Sequence, residues 1–224
     1  YVHVSKLPTA TFNVITDRDD NQVGGFYPGA MSDSASLGLK RWAGKDVFVC
    51  VSAHDQMGMA MQIQDCIKYG LRLMYDPGQQ VSNIPGEDLT AGVKAAEILM
   101  LNDYEFGVLC KKTGMSEKEI KQTVPVVVTT LGKAGSVIEG KSVKSARKIP
   151  IAKPKQVADP SGAGDAYRAG FLHGYLRQWE LEKCGQLGAV MASFAIEEHG
   201  TQVEFSKAAI LERYKQTFNQ EIII

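Results

Sequence analysis

The chain has 224 residues, 44% hydrophobic and 22% charged, which is enough for one large α/β domain with a substantial core. Lys and Arg together number 25, as do Asp and Glu, so the formal net charge is zero and gives no electrostatic reason to expect nucleic acid or an anionic membrane as partner. No apolar run approaches the ~18 residues of a membrane span, no signal peptide is read, and the scattered cysteines (Cys50, Cys66, Cys110, Cys184) have the spacing of reduced thiols in a cytoplasmic protein, not of a metal site or disulfide framework.

Thr11-Phe12-Asn13-Val14-Ile15-Thr16 is rich in β-formers, Asp17 to Gln22 is a polar turn, and Val23 to Tyr27 returns, which predicts a β-hairpin over 11–27. Pro28-Gly29 breaks it. A helix capped by Ser32 or Asp33 is expected over 33–43. An alternation of short apolar runs and helical patterns follows. Strands are expected at 47–51, 71–75, 98–101 and 125–130. Helices are expected at 57–69, closed by Gly70, and at 87–95, 103–112 and 116–122. This rhythm predicts a mostly parallel sheet flanked by helices. It breaks at 136–150, where Ser136 to Glu139, a Gly140-Lys141 turn and a return at Ser142-Val143 form a hairpin. Helices resume at 163–178, 181–198 and 206–218.

In an open parallel sheet, ligands sit beyond the carboxyl ends of the strands. The residues there are Ser52, Asp76, Asn102 to Glu105, and Thr130-Leu131-Gly132-Lys133-Ala134-Gly135. Each taken singly is equally well a polar turn. The most informative segment is Asp159-Pro160-Ser161-Gly162-Ala163-Gly164-Asp165, which leads into an amphipathic helix. Backbone amides of Gly162, Ala163 and Gly164, unobstructed by side chains and aided by the helix dipole, would make an anion hole. Asp165 stands at its mouth as a candidate base for hydroxyl phosphorylation. The alternative is an acidic residue placed in a first turn for the dipole alone.

Taken together, these segments resemble the ribokinase-like (PfkB) family of sugar and nucleoside kinases. Asp159 to Phe171 resembles its second signature, Asn102-x-x-Glu105 its N-x-x-E element, Thr130-Leu131-Gly132-x-x-Gly135 its ATP-phosphate loop, and Ala195 to Gln202 its late segment near the adenine. The hairpin and Phe26-Tyr27-Pro28-Gly29-Ala30-Met31 resemble the lid of adenosine-kinase-like members. The resemblance implies a Rossmann-like ribokinase fold, with a lid segment over 1–31 and an ATP-binding, catalytic α/β domain over 32–224. It implies Asp165 as general base, and Gly162, Ala163 and Gly164 as the hole for the γ-phosphate. Asn102 and Glu105 would position Mg2+ and phosphate, Glu105 through water. Thr130, Gly132 and Gly135 would contact the ATP phosphates. Asp159, Ser161 and Gly200 lie where some members hold K+. Arg168 either faces the phosphates or is a surface arginine.

The family's N-terminal portion, with its first Gly-Gly signature and a substrate-gripping aspartate, has no counterpart before Tyr1, and Gly24-Gly25 sit in the hairpin instead. The chain is therefore expected to match the C-terminal part of such an enzyme, with part of its sheet uncovered. The expected function is ATP-dependent phosphorylation of a sugar or nucleoside, adenosine-like favoured. The alternative is a non-catalytic nucleotide-binding remnant. The lid could pair two copies into a homodimer or simply cover core. One decoy is set aside: Gly135 to Ser142 spells G-x-x-x-x-G-K-[ST], but Val137-Ile138 favour extended backbone and no helix pattern follows, so no P-loop is expected.

Overall fold

The computed structural model describes residues 2–16 and 22–224. The chain forms two compact units, Tyr1–Glu97 with Gly107–Ser116, and Ile98–Phe106 with Glu117–Ile224.

In the first unit, β1 (Thr11–Thr16) and β2 (Gln22–Tyr27) pair antiparallel with Thr11 opposite Tyr27 and Thr16 opposite Gln22, the expected hairpin. Residues 17–21 of the expected polar turn lie outside the described residues. Phe12, Ile15, Val23 and Phe26 are all exposed. The helix expected over 33–43 is not formed. Two 3-10 segments, Gly29–Ser36 and Lys40–Trp42, stand there instead. Serines and an aspartate compete with the helical backbone for hydrogen bonds. The Ser36 hydroxyl donates to the Asp33 carbonyl (2.7 Å), and the Leu39 amide donates to the Asp65 carboxylate (2.7 Å) just past Gly38.

The remainder of this unit follows the expected alternation. β3 (Phe48–Ser52) and β4 (Arg72–Asp76) are parallel, Phe48 opposite Arg72, and are joined through α1 (Gln56–Tyr69). Asp55 caps α1 by accepting from the Gly58 amide (2.9 Å), and Gly70, at φ 63°, closes it. Along β3 Cys50 is exposed and only Val51 is buried, whereas β4 is buried from Leu73 to Asp76. α2 (Gly86–Ala95) follows.

The second unit holds β5 (Ile98–Asn102), β6 (Val126–Thr130), β7 (Ser136–Glu139) and β8 (Arg147–Ile149) in that sheet order. β5 and β6 are parallel, while β7 is antiparallel to both β6 and β8. α3 (Asp103–Thr113) starts directly from β5, and α4 (Glu117–Thr123) leads to β6. The G-K-S decoy is strand followed by turn, as expected. The return strand, however, is Arg147–Ile149 and not Ser142-Val143. The amides of Lys141 and Ser142 are taken by the carbonyls of Val124 (2.9 Å) and Pro125 (3.0 Å), which holds that stretch against the entry of β6.

α5 (Ala163–Tyr175), α6 (Leu181–Ala195) and α7 (Lys207–Phe218) complete the unit. α5 and α6 approach closely at glycines: a Cβ at Gly170 would lie 2.8 Å from the Leu187 carbonyl, and one at Gly188 would lie 2.9 Å from that of Tyr167. Leu187, Val190 and Phe194 of α6 bury against Ile210 and Tyr214 of α7. Among the described residues no helix is long and apolar enough to cross a membrane.

Candidate active site

Three strand ends lie side by side in the second unit. The registers place Asn102 opposite Thr130 across β5–β6, and Thr130 opposite Ser136 across β6–β7. Polar residues read separately in the sequence thus share one edge.

Between Thr130 and Ser136 the chain makes a tight loop. The Leu131 amide donates to the Gly135 carbonyl (2.8 Å), and the Gly135 amide donates to that of Gly132 (3.1 Å). Gly132 (φ 55°) and Gly135 (φ 88°) are both left-handed, where a side chain is strained. A Cβ at Gly135 would also collide with the Ile149 carbonyl oxygen, whereas one at Gly132 would meet nothing within 4 Å.

Gly162, left-handed (φ 79°), is the N-cap residue before α5, and no side chain caps the helix. Its first-turn amides therefore lack the usual side-chain acceptor, at the end where the helix dipole favours an anion. The Ala163 amide reaches the Pro160 carbonyl only at 3.3 Å. A Cβ at Gly162 would touch Thr201 (3.2 Å), while one at Gly164 would find open space. The turn is backed by protein on one side and open on the other. Asp165, in this first turn, has a side chain 72% exposed and accepts from Arg168 Nη2 at 2.9 Å. Arg168 is thus turned toward the acidic residue. The carboxylate end of this pair is open to solvent, whereas the Arg168 side chain is only 16% exposed.

A cavity of about 420 Å³ has Thr130, Gly132, Gly135, Ala163 and Gly164 in its lining, while Gly162 and Asp165 are not part of it. Its remaining wall is mostly apolar: Ile196 falls in the Ala195–Gln202 segment singled out in the sequence, whereas Ile151, Pro154, Val157, Ala189 and Ala192 were missed. The small residues of α6 at 189 and 192 were a signal for close approach on one face. Val157 gave none, since it lies in a strandless, helixless stretch yet is 64% exposed.

Asn102 and Glu105 are not in that lining. They form a reciprocal cap on α3: the Asn102 amide donates to Glu105 Oε2 (2.9 Å) and the Glu105 amide donates to Asn102 Oδ1 (2.8 Å). The N-x-x-E pattern is thus first a helix-start device. It also holds a carboxylate beside the strand ends, in keeping with Mg2+, which takes one or two protein carboxylates together with substrate phosphates.

Asp159, Ser161 and Gly200 are brought together as a clasp. Asp159 Oδ1 accepts from the Ser161 amide (2.8 Å) and Oδ2 from the Gly200 amide (3.3 Å). These bonds, that from the Ser161 amide foremost, hold the carboxyl below its ordinary range and keep it ionised. Among the described residues, no group of three or more His, Cys, Asp or Glu is placed to hold a metal ion.

The sequence profile described as pfkB family carbohydrate kinase matches residues 1–208. A nucleoside kinase of Methanothermobacter thermautotrophicus is 33% identical over 201 residues, covering 89% of this chain and 64% of that protein. A nucleoside kinase of Methanocaldococcus jannaschii is 34% identical over 192 residues, covering 84% of this chain and 61% of that one. The chain therefore spans under two thirds of the length of these curated relatives. Among solved structures, Burkholderia thailandensis nucleoside kinase in complex with inosine superposes with a TM-score of 0.89 at 29% identity, over 97% of this chain and 72% of that one. The architecture is the ribokinase fold.

Proposed function

This chain belongs to the pfkB family of carbohydrate kinases, and on that footing we propose that it carries the catalytic machinery for moving the γ-phosphoryl group of ATP to a hydroxyl of a nucleoside or sugar. The observation that carries this is the uncapped first turn of α5, open at Gly164 and lining one cavity with the Thr130–Gly135 loop, with the exposed Asp165 carboxylate in the same turn.

In this reaction Asp165 accepts the proton of the acceptor hydroxyl as its oxygen bonds to the γ-phosphorus. The bond from that phosphorus to the β–γ bridging oxygen breaks, and ADP leaves. The amides of Gly162, Ala163 and Gly164 stabilise the charge on the equatorial oxygens. Thr130, Gly132 and Gly135 hold the remaining phosphates, and the apolar wall packs on the base. Asn102 and Glu105 would position Mg2+ and phosphate, Glu105 through water; the ion would offset phosphate charge. Asp159, Ser161 and Gly200 would border a K+ ion, which the ionised Asp159 carboxylate favours. An adenosine-like nucleoside is the favoured acceptor, in keeping with the nucleoside kinases named above. We place the enzyme in the cytoplasm. The exposed apolar hairpin is proposed to pair with a second copy, which light scattering across concentrations tests.

The decisive test is Asp165→Asn. Turnover should fall about 10²–10⁴-fold with ATP affinity nearly intact; unchanged turnover refutes the role. A second reading, nucleotide binding without turnover by this stretch of chain, is favoured by the exposure along β3. Calorimetry beside a turnover assay on a nucleoside and sugar panel separates the two.

A further inference from the structure

The loop after β6 and the first turn of α5 are far apart in sequence, yet one nucleotide would have to bridge them. Ser136 follows Gly135 directly, and Tyr167 lies two positions beyond Asp165. The Ser136 hydroxyl and the Tyr167 phenol are 2.7 Å apart. Both residues line the cavity, at only 2% and 5% exposure. The phenol has little room to go elsewhere: a Cβ at Gly185 would lie 3.1 Å from its oxygen, and one at Gly188 would lie 3.1 Å from its ring. Its ring also stacks on Phe171 one turn along the helix (6.5 Å between centroids). Burial pushes the phenol well above its ordinary pKa, so it stays a protonated, neutral partner.

We propose that the Ser136–Tyr167 hydrogen bond is a positioning tie that fixes the phosphate-holding loop to the anion-hole helix, and so sets affinity for the polyphosphate of the nucleotide. This rests on the reading that both segments hold one ATP. A buried hydroxyl that loses its partner is costly, and the strain is relieved by shifting the loop or the helix end.

The test compares the unmodified chain with Tyr167→Phe, Ser136→Ala and the double variant. In either single variant the ATP dissociation constant should rise about tenfold, with adenosine binding unaltered because adenosine lacks the phosphates. The double variant should be no worse than the singles, since only one bond is lost. On the unliganded chain, amide hydrogen exchange should quicken about tenfold over 132–136 and 162–166 but not over 207–218. Unchanged exchange in Tyr167→Phe overturns the tie, as does quickened exchange with unchanged ATP affinity. An unmodified chain that binds no ATP refutes the functional reading instead, and exchange then decides the tie by itself.

Discussion

Arg213 on α7 is a sensitive point for the wall of the candidate site. Its Nη1 lies 2.9 Å from Glu197 Oε1, Nη2 donates to Oε2 at 3.2 Å, and the two side chains are only 10% and 12% exposed. Nη1 also donates to the Ser193 hydroxyl (3.0 Å), and the guanidinium sits 3.6 Å over the Phe194 ring. Glu197 in turn accepts from the Lys155 amide (2.5 Å), and its own carbonyl accepts from Gln156 Nε2 (2.9 Å). Arg213→Ala would leave this largely buried carboxylate without its counter-charge. Breaking a buried pair from one side costs about 3–5 kcal/mol, and the lost ring contact adds about 1 kcal/mol. We expect a loss of about 4 kcal/mol, read in urea from the midpoint at unchanged m. Arg213→Lys, unable to present the planar fork, should recover only part. The Arg213→Ala/Glu197→Ala double variant should show coupling of about 2 kcal/mol or more. Because Pro154 and Val157 line the cavity beside the Lys155–Gln156 anchor, ATP affinity should fall with stability. A loss under about 1 kcal/mol, or additive single variants, refutes the account.

The other predictions concern separate points of the unit. Gly135→Ala should destabilise by about 2–3 kcal/mol, because it adds a collision to left-handed strain, whereas Gly132→Ala should cost about 1 kcal/mol; equal effects on the urea midpoint would contradict the close approach to Ile149. Asn102→Ala should cost about 1 kcal/mol and speed amide exchange in the first turn of α3, and no change there would deny the cap. His173 is held below its ordinary value of 6.5 by burial first, then by Arg177 and Lys207. The unfolded chain therefore takes the proton more readily, so this group removes stability as pH falls below about 6.5 and has no such effect above it. His173→Gln should flatten the stability profile across that window, and an unchanged slope would exclude His173 as its source.

The strand–helix alternation from Phe48 to Thr130 was legible through local signals: continuous apolar runs, apolar residues at helical spacing, and Gly70, which closes α1 in the left-handed conformation. Residues 33–43 were not legible in the same way. A cap was read at Ser32 or Asp33, but Ser36 and Leu39 find partners outside a helical ladder, one of them through a contact to Asp65 that sequence spacing cannot show. The return at Ser142 failed for a similar reason, since Lys141 and Ser142 bond to the residues before β6. At the candidate site, Gly132, Gly135 and Gly162 were legible because their left-handed backbone restricts the residue type. The apolar wall was not, since Ile151 and Val157 look like any other aliphatic residues until α6 is folded beside them.

The Asp159 clasp has a mechanical consequence. It joins Asp159 to Gly200, 41 positions apart, and so brackets both α5 and α6 with one side chain. A closed circuit of this length has already surrendered its end-to-end freedom, so an arriving anion meets a rim whose two ends are pinned in advance. Unlatching it by acid, as pH falls through the lowered value of that carboxyl, should slacken the rim before the close-packed glycine contact between the two helices gives way.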